Sequence, residues 1–320
     1  MGNRGRRLLL ATLVAASVAG PAACVSGEVP APVPGVAPPP SGLAGRYAAG
    51  RAAILAAGRD AVRHGHRRRA AALREMADPA RRFLSFDGRD AGRVVEVFGD
   101  LATAARIAVL VPGAGITLDK YGLLRGGSMR LSAALGDRSA VIAWLGYATP
   151  SSVSLQALTL DRADRAAPAL RAFLDELRAL RPGARVSLLC HSYGSTVCGR
   201  AAPGLDVAAL VLFGSPGAGV ADAAALRTRT PVWAARTAGD WVGRLPHASV
   251  ELPSGTLGLG ADPVAPGFGA RVFDAGGGGH SDYLAAGSTA LTNLARIVTG
   301  SPVSWTKGAS QDRTNVGEGG

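Results

Sequence analysis

The sequence predicts an α/β fold: a mostly parallel eight-stranded sheet flanked by helices, with a helical extension at its N-terminal side. Three observations carry this. From residue 83 onward, short β-type runs alternate with longer helical stretches. The later runs are apolar almost throughout, as strands covered on both faces must be. The first two are separated by Asp87-Gly88-Arg89-Asp90, which suits a hairpin turn. The sheet therefore starts antiparallel and continues in β-α repeats.

Strands are expected at 83–87, 93–98, 106–111, 139–145, 185–190, 208–213, 231–236 and 270–274. Helices are expected at 119–135, 155–180, 193–202, 218–227 and 282–298, with Leu158, Leu170, Leu174 and Leu177 on the apolar face of the second. The Ala/Arg-rich stretch 43–82 reads as one or two helices, with Gly58 and Gly65 as break points. Residues 43–300 are expected to form one domain. Residues 25–42 (VSGEVPAPVPGVAPPPSG) are too Pro-rich and too poor in large apolar groups to pack, and read as an extended linker. Residues 301–320 are polar and Gly-rich and read as a flexible tail.

The first 24 residues have the layout of a signal peptide. Arg4, Arg6 and Arg7 precede an apolar run from Leu8 to Gly20, and small residues follow up to Cys24. The run is shorter than the roughly 20 residues that span a bilayer. Cys24 is a candidate lipidation site, although Pro21 stands where the lipoprotein pattern has Leu or a similar residue. The protein is therefore expected to be secreted or anchored as a lipoprotein at the cell envelope. Its net charge of +12 is nearly all arginine, the only lysines being Lys120 and Lys307. The arginines are scattered and aromatics make up only 5%, so no nucleic-acid partner is expected. Attraction to an anionic membrane or cell-wall surface fits the charge.

The chemistry-bearing segment begins at the strand 185–190. It runs into His191-Ser192-Tyr193-Gly194-Ser195, which opens a helix. Strand, sharp turn and helix around a serine form the nucleophile elbow of α/β-hydrolases, written G-x-S-x-G. The turn lifts the hydroxyl above the sheet and sets it at a helix N-terminus, where backbone N–H groups favour developing negative charge. Gly194 matches the second glycine, and Cys190 stands in place of the first. The competing reading of Ser192 is a helix N-cap.

A serine hydroxyl needs a base. Among the five histidines, His64 and His66 lie in an Arg-rich helical segment. His191 should point away from the hydroxyl beside it. His247 sits in a Pro-flanked loop, whereas His280 follows the last strand after four glycines, 276–279. His280 is the preferred base. Asp240, at the end of the preceding strand, is the preferred acid to orient it. The chain order Ser192, Asp240, His280 is the order of this fold. Asp262 is the second choice for the acid, and Asp282 reads as a helix-start carboxylate near His280.

The N–H of Tyr193 and a second N–H from the loop 111–115 are the expected oxyanion donors. Ala114 is the nominee and Gly115 the alternative, because Pro112 has no N–H. Trp144 and Tyr147 either line a substrate pocket or are core aromatics. The long Gly/Pro-rich loop 241–269 is a candidate lid or pocket wall. Cys190 and Cys198 flank the serine and are either a disulfide, which would stiffen the turn, or two small buried thiols.

Several segments together resemble an uncharacterised bacterial α/β-hydrolase family. They are Gly99-Asp100-Leu101-Ala102-Thr103-Ala104, Val109-Leu110-Val111-Pro112-Gly113, Trp144-Leu145-Gly146-Tyr147, His191-Ser192-Tyr193-Gly194-Ser195 and the ending Gly-His280-Ser-Asp-Tyr283. The resemblance spans about residues 80–299. It implies the hydrolase fold and a Ser-Asp-His site on the residues already chosen, and supplies no substrate. The expected function is a serine esterase acting on small-molecule or lipid esters. An acyltransferase with the same triad and an inert lipid- or envelope-binding protein on the same scaffold are the alternatives. No metal-ligand cluster, P-loop or dinucleotide fingerprint occurs in the sequence, so no cofactor is expected.

Overall fold

The computed structural model describes residues 42–305, apart from 153, 253 and 254. The expected signal peptide with Cys24, the expected linker up to residue 41 and residues 306–320 lie outside the described residues. In chain order the main elements are α1 (Leu43–Arg63), α2 (Arg67–Met76), β1 (Arg82–Asp87), β2 (Arg93–Gly99), β3 (Arg106–Val111), α3 (Tyr121–Leu135) and β4 (Ser139–Leu145). There follow α4 (Asp161–Leu180), β5 (Arg185–His191), α5 (Gly194–Ala201), β6 (Ala209–Phe213) and β7 (Val232–Ala235). The last are β8 (Val250–Leu252), β9 (Gly255–Leu257), β10 (Arg271–Val272) and α6 (Thr289–Thr299).

Eight strands form one sheet in the order β1-β2-β4-β3-β5-β6-β7-β10, and β8 pairs only with β9. The pairs β1–β2 and β2–β4 are antiparallel and the rest of the large sheet is parallel. Strand alternation divides the core into two layers. Ala108, Leu110, Val141, Ala143, Val211 and Phe213 face α3 and α6. Ile107, Val109, Ile142, Leu188, Leu210 and Leu212 face α4 and α5. Burial on both faces is why these runs carry no polar alternation.

The helical extension covers the β1 edge, which would otherwise offer unpaired backbone groups. Ile54 and Ala57 of α1 join one core layer, whereas Leu43 and Tyr47 pack on the other. Gly50 lets α1 lie against the strand, since a Cβ there would be 2.6 Å from the Phe83 carbonyl oxygen. Of the two expected break points only Gly65, at φ +75°, interrupts the helix. Gly58 stays inside α1.

Three helical expectations are corrected. The stretch 155–180 splits into a single turn (Leu155–Leu158) and α4, because Thr159 is extended and bridges Leu257. Leu158 thus leaves the buried face that Leu170, Leu174 and Leu177 share. The stretch 218–227 forms only the turn Ala224–Leu226. The N–H groups of Gly219 and Ala223 are taken by the carbonyls of Leu259 and Phe268 rather than by a helix. The last helix begins at Thr289 rather than 282: Gly287 has φ +74°, and Ser288 caps the helix by accepting the Leu291 N–H. In the expected flexible tail, residues 301–305 run back to the sheet edge. There Trp305 bridges Phe273 and stacks on Trp233 at 5.7 Å.

Candidate functional site

From β3 the chain turns to β4 on one side of it, and β5 lies on the other. Open α/β sheets place their sites in the crevice beyond the strand ends at such a point. The loop 112–115 leaves the end of β3 and Ser192 leaves the end of β5. Ser192 has φ +54°, a conformation that costs a side-chain-bearing residue energy and persists only where the surroundings impose it. Two glycines allow the close approach. A Cβ on Gly194 would lie 2.7 Å from the carbonyl oxygens of Val111 and Pro112, and one on Gly113 would lie 2.5 Å from Ser192 Cβ.

The Ser192 Oγ lies 2.9 Å from His280 Nε2, and His280 Nδ1 lies 3.0 Å from both carboxylate oxygens of Asp240. A carboxylate only accepts, so Nδ1 carries the proton and Nε2 is free to accept from the serine hydroxyl. The four-glycine loop brings His280 there by lacing onto 237–239. Ala238 and Gly239 donate to the carbonyls of Gly276 and Gly278, at 3.1 and 3.0 Å. Asp282, expected at a helix start, instead closes this loop by accepting the Gly279 N–H at 2.7 Å.

Asp240 is buried, yet it is ringed by donors. Tyr283 Oη–H donates to Oδ2 at 2.5 Å and the Val242 N–H to Oδ1 at 2.9 Å. Burial pushes its pKa up. The hydrogen bonds from His280, Tyr283 and Val242 outweigh that and hold the carboxyl at about 2. Tyr283 in turn accepts the Thr237 N–H at 3.1 Å. His191 does point away from the serine hydroxyl: its Nε2–H donates to the His280 carbonyl at 2.9 Å, and its ring lies 4.8 Å from the His280 ring. Desolvation, then the neighbouring His280, lowers the pKa of His191 to about 4. Trp241 lies on the open side, 51% exposed, its ring 5.1 Å from that of His280. The parts played by Tyr283, His191 and Trp241 are not among the sequence expectations. The one sequence signal for Tyr283 is its place three residues after His280.

Among the described residues, the N–H groups of Tyr193 and Ala114 have no backbone acceptor, whereas the Gly115 N–H is taken by the Pro150 carbonyl at 2.8 Å. That removes Gly115 as an oxyanion donor. Asp262 is occupied elsewhere, in a two-pronged pair with Arg236 at 2.6 and 2.8 Å, and His247 sits beside that pair. Trp144 and Tyr147 prove to be core aromatics, 2% and 4% exposed and 6.1 Å apart, rather than walls of an open pocket. Tyr147 Oη–H holds the Pro112 carbonyl at 2.7 Å, so it supports the loop 112–115 from beneath. Cys190 and Cys198 are joined in a disulfide. Among the described residues, no cluster of three or more His, Cys, Asp or Glu could hold a metal ion.

A strand-to-helix serine turn at the switch point of such a sheet defines an α/β hydrolase. The chain belongs to that family: the model of an alpha/beta hydrolase family matches residues 87–250, which contain Ser192 and Asp240. Comparison with curated protein sequences gave no match. Among solved structures, the chain is similar to an α/β serine hydrolase without a lid from Xanthomonas campestris. The two share 16% identity over 65% of this chain and 88% of that one, with a TM-score of 0.41. It is also similar to esterase PE8, with 16% identity over 64% and 96% and a TM-score of 0.40. A third is 2,6-dihydroxy-pseudo-oxynicotine hydrolase, with 14% identity over 82% and 85% and a TM-score of 0.42.

Proposed function

We propose that the protein is an exported serine hydrolase that cleaves carboxylic esters through an acyl-enzyme on Ser192. The observation that carries this reading is the unbroken chain of hydrogen bonds from Ser192 Oγ through His280 to Asp240. Ser192 Oγ attacks the ester carbonyl carbon while His280 Nε2 takes its proton. The N–H groups of Tyr193 and Ala114 receive the developing oxyanion. His280 returns the proton to the departing alkoxide, which leaves Ser192 acylated. Water, deprotonated by the same nitrogen, then releases the acid. Asp240, held ionised, stabilises the imidazolium in both steps.

Export is supported by the arrangement of Arg4, Arg6, Arg7 and the apolar run before Cys24, with lipidation of Cys24 as the anchored form. The disulfide fits an oxidising compartment. Scattered arginine charge favours contact with an anionic envelope surface.

The test is labelling with a fluorophosphonate probe, adduct mapping by mass spectrometry, and turnover of p-nitrophenyl esters. Wild type is expected to carry the adduct on Ser192. Ser192→Ala is expected to lose it together with about 10⁴-fold or more of kcat. A folded wild-type protein that takes no probe and turns over no ester would sink the reading.

A further inference from the structure

Cys190 lies one residue before the end of β5 and Cys198 lies in α5, and both are fully buried. Their bridge has a sequence separation of 8. The ring it closes therefore contains the whole nucleophile turn: Ser192, the Tyr193 N–H and Gly194. A second tie crosses the same ring, since Ser195 Oγ–H donates to the Cys190 carbonyl at 3.0 Å. A bridge that closes so short a loop constrains the unfolded chain less than one that closes a long loop. Its main effect falls on the folded turn. There Ser192 is held at φ +54°, and any relaxation of that angle swings Oγ away from His280 Nε2. The glycines at 113 and 194 permit the strained turn, because they remove steric obstacles, but they do not hold it. The bridge supplies covalent restraint between the strand before the serine and the helix after it.

We propose that the Cys190–Cys198 disulfide is a positioning clamp for Ser192, so that the hydrolase reaches full activity only when the bridge has formed. This rests on the serine-hydrolase reading above. The conversion is a two-electron exchange. The bridge forms by thiol–disulfide exchange: a disulfide oxidant takes two electrons and two protons from the Cys190 and Cys198 thiols, the S–S bond forms between them, and the oxidant leaves as its own dithiol. Because both residues are buried, the folded oxidised protein shields the bridge from reductant. The bridge therefore forms during folding, and an oxidising compartment switches the activity on once.

The experiment compares wild type with Cys190→Ala/Cys198→Ala and with Cys190→Val/Cys198→Ala, which restores part of the lost volume. Each is assayed well below its thermal midpoint, after circular dichroism has shown it fully folded. The readouts are the second-order rate of fluorophosphonate labelling at Ser192, and kcat and KM on p-nitrophenyl acetate. Both variants are expected to lose tenfold or more in labelling rate and kcat, with KM within twofold of wild type and the pH profile unchanged. A bridge that serves stability alone would lower the thermal midpoint and leave those rates within twofold, which overturns the proposal. It is equally overturned if neither variant folds, because the bridge is then a requirement of the fold rather than of the turn. Wild type that takes no label at all would instead refute the hydrolase reading, so the two failures are distinguishable.

Discussion

Three donors meet Asp240: the His280 Nδ1–H, the Tyr283 hydroxyl and the Val242 N–H. Tyr283→Phe removes one of them and strands the Thr237 N–H, whose acceptor is the same hydroxyl. The loss of hydrogen bonds to a charged group predicts destabilisation of about 1–3 kcal/mol. It also predicts a higher acid-unfolding midpoint, which urea titrations at several pH values would read. An unchanged acid limb would show that Tyr283 does not hold the carboxylate. The same titrations test His191. Its folded pKa is about 4, whereas a free histidine titrates near 6.5. Between these values the unfolded chain binds more protons than the folded one, so stability falls as pH falls from about 6.5 to about 4. Asp240 adds a second stage. Its folded pKa of about 2 lies below the unfolded value near 3.9, so its contribution is present above that value and is lost as pH falls from about 4 to about 2. His191→Gln can still donate to the His280 carbonyl, and should flatten the upper stage alone. An equal slope in variant and wild type between pH 6.5 and 4 would refute this assignment.

At the level of elements, the turn between β5 and α5 depends on close packing against the loop after β3. Gly113→Ala places a Cβ 2.5 Å from Ser192 Cβ and 2.9 Å from its Oγ. Side chain or loop must move, and a displacement of about 1 Å at a reacting atom costs about 10²-fold. We expect a fall of that order in kcat on p-nitrophenyl acetate with a cooperative thermal transition retained. A kcat within twofold of wild type would mean that the loop gives way without moving Ser192. This element is also where sequence was most informative. The runs 106–111 and 139–145 are strands with the expected bounds, because burial on both faces leaves an uninterrupted apolar signature. The runs 218–227 and 282–298 misled, for a different reason in each case. Ala-rich composition favours helix, but loop carbonyls capture the backbone donors of the first, and Gly287 with Ser288 delays the second. At the site, chain order and strand ends pointed to the three residues that the structure brings within hydrogen-bond distance. Tyr283 and His191 were illegible in these roles because each acts through a backbone or carboxylate contact that only the folded loops create.

At the scale of the whole molecule, the crevice that holds Ser192 and the N-terminal extension meet different parts of the sheet. The crevice sits beyond the ends of β3 and β5, while α1 and α2 cap the edge at β1. Arg69 ties the extension to the domain through four hydrogen bonds. Its buried guanidinium pairs with both oxygens of Asp119, at 2.5 and 2.7 Å, and donates to the carbonyls of Gly88 and Asp90 at 3.1 and 3.2 Å. It thus binds α2 to the β1–β2 turn and to the segment entering α3. Arg69→Met keeps most of the apolar stem and removes all four bonds. The charged pair is only partly sheltered, since Asp119 is 57% exposed, so the loss should come chiefly from the two carbonyls. Destabilisation of about 2–3 kcal/mol is expected, read as a lower urea midpoint. Because no group at the crevice is touched, kcat per folded molecule should stay within twofold of wild type. A fall in kcat as large as that of Gly113→Ala, in protein shown to be folded, would mean that the extension shapes the crevice and not merely the edge it covers.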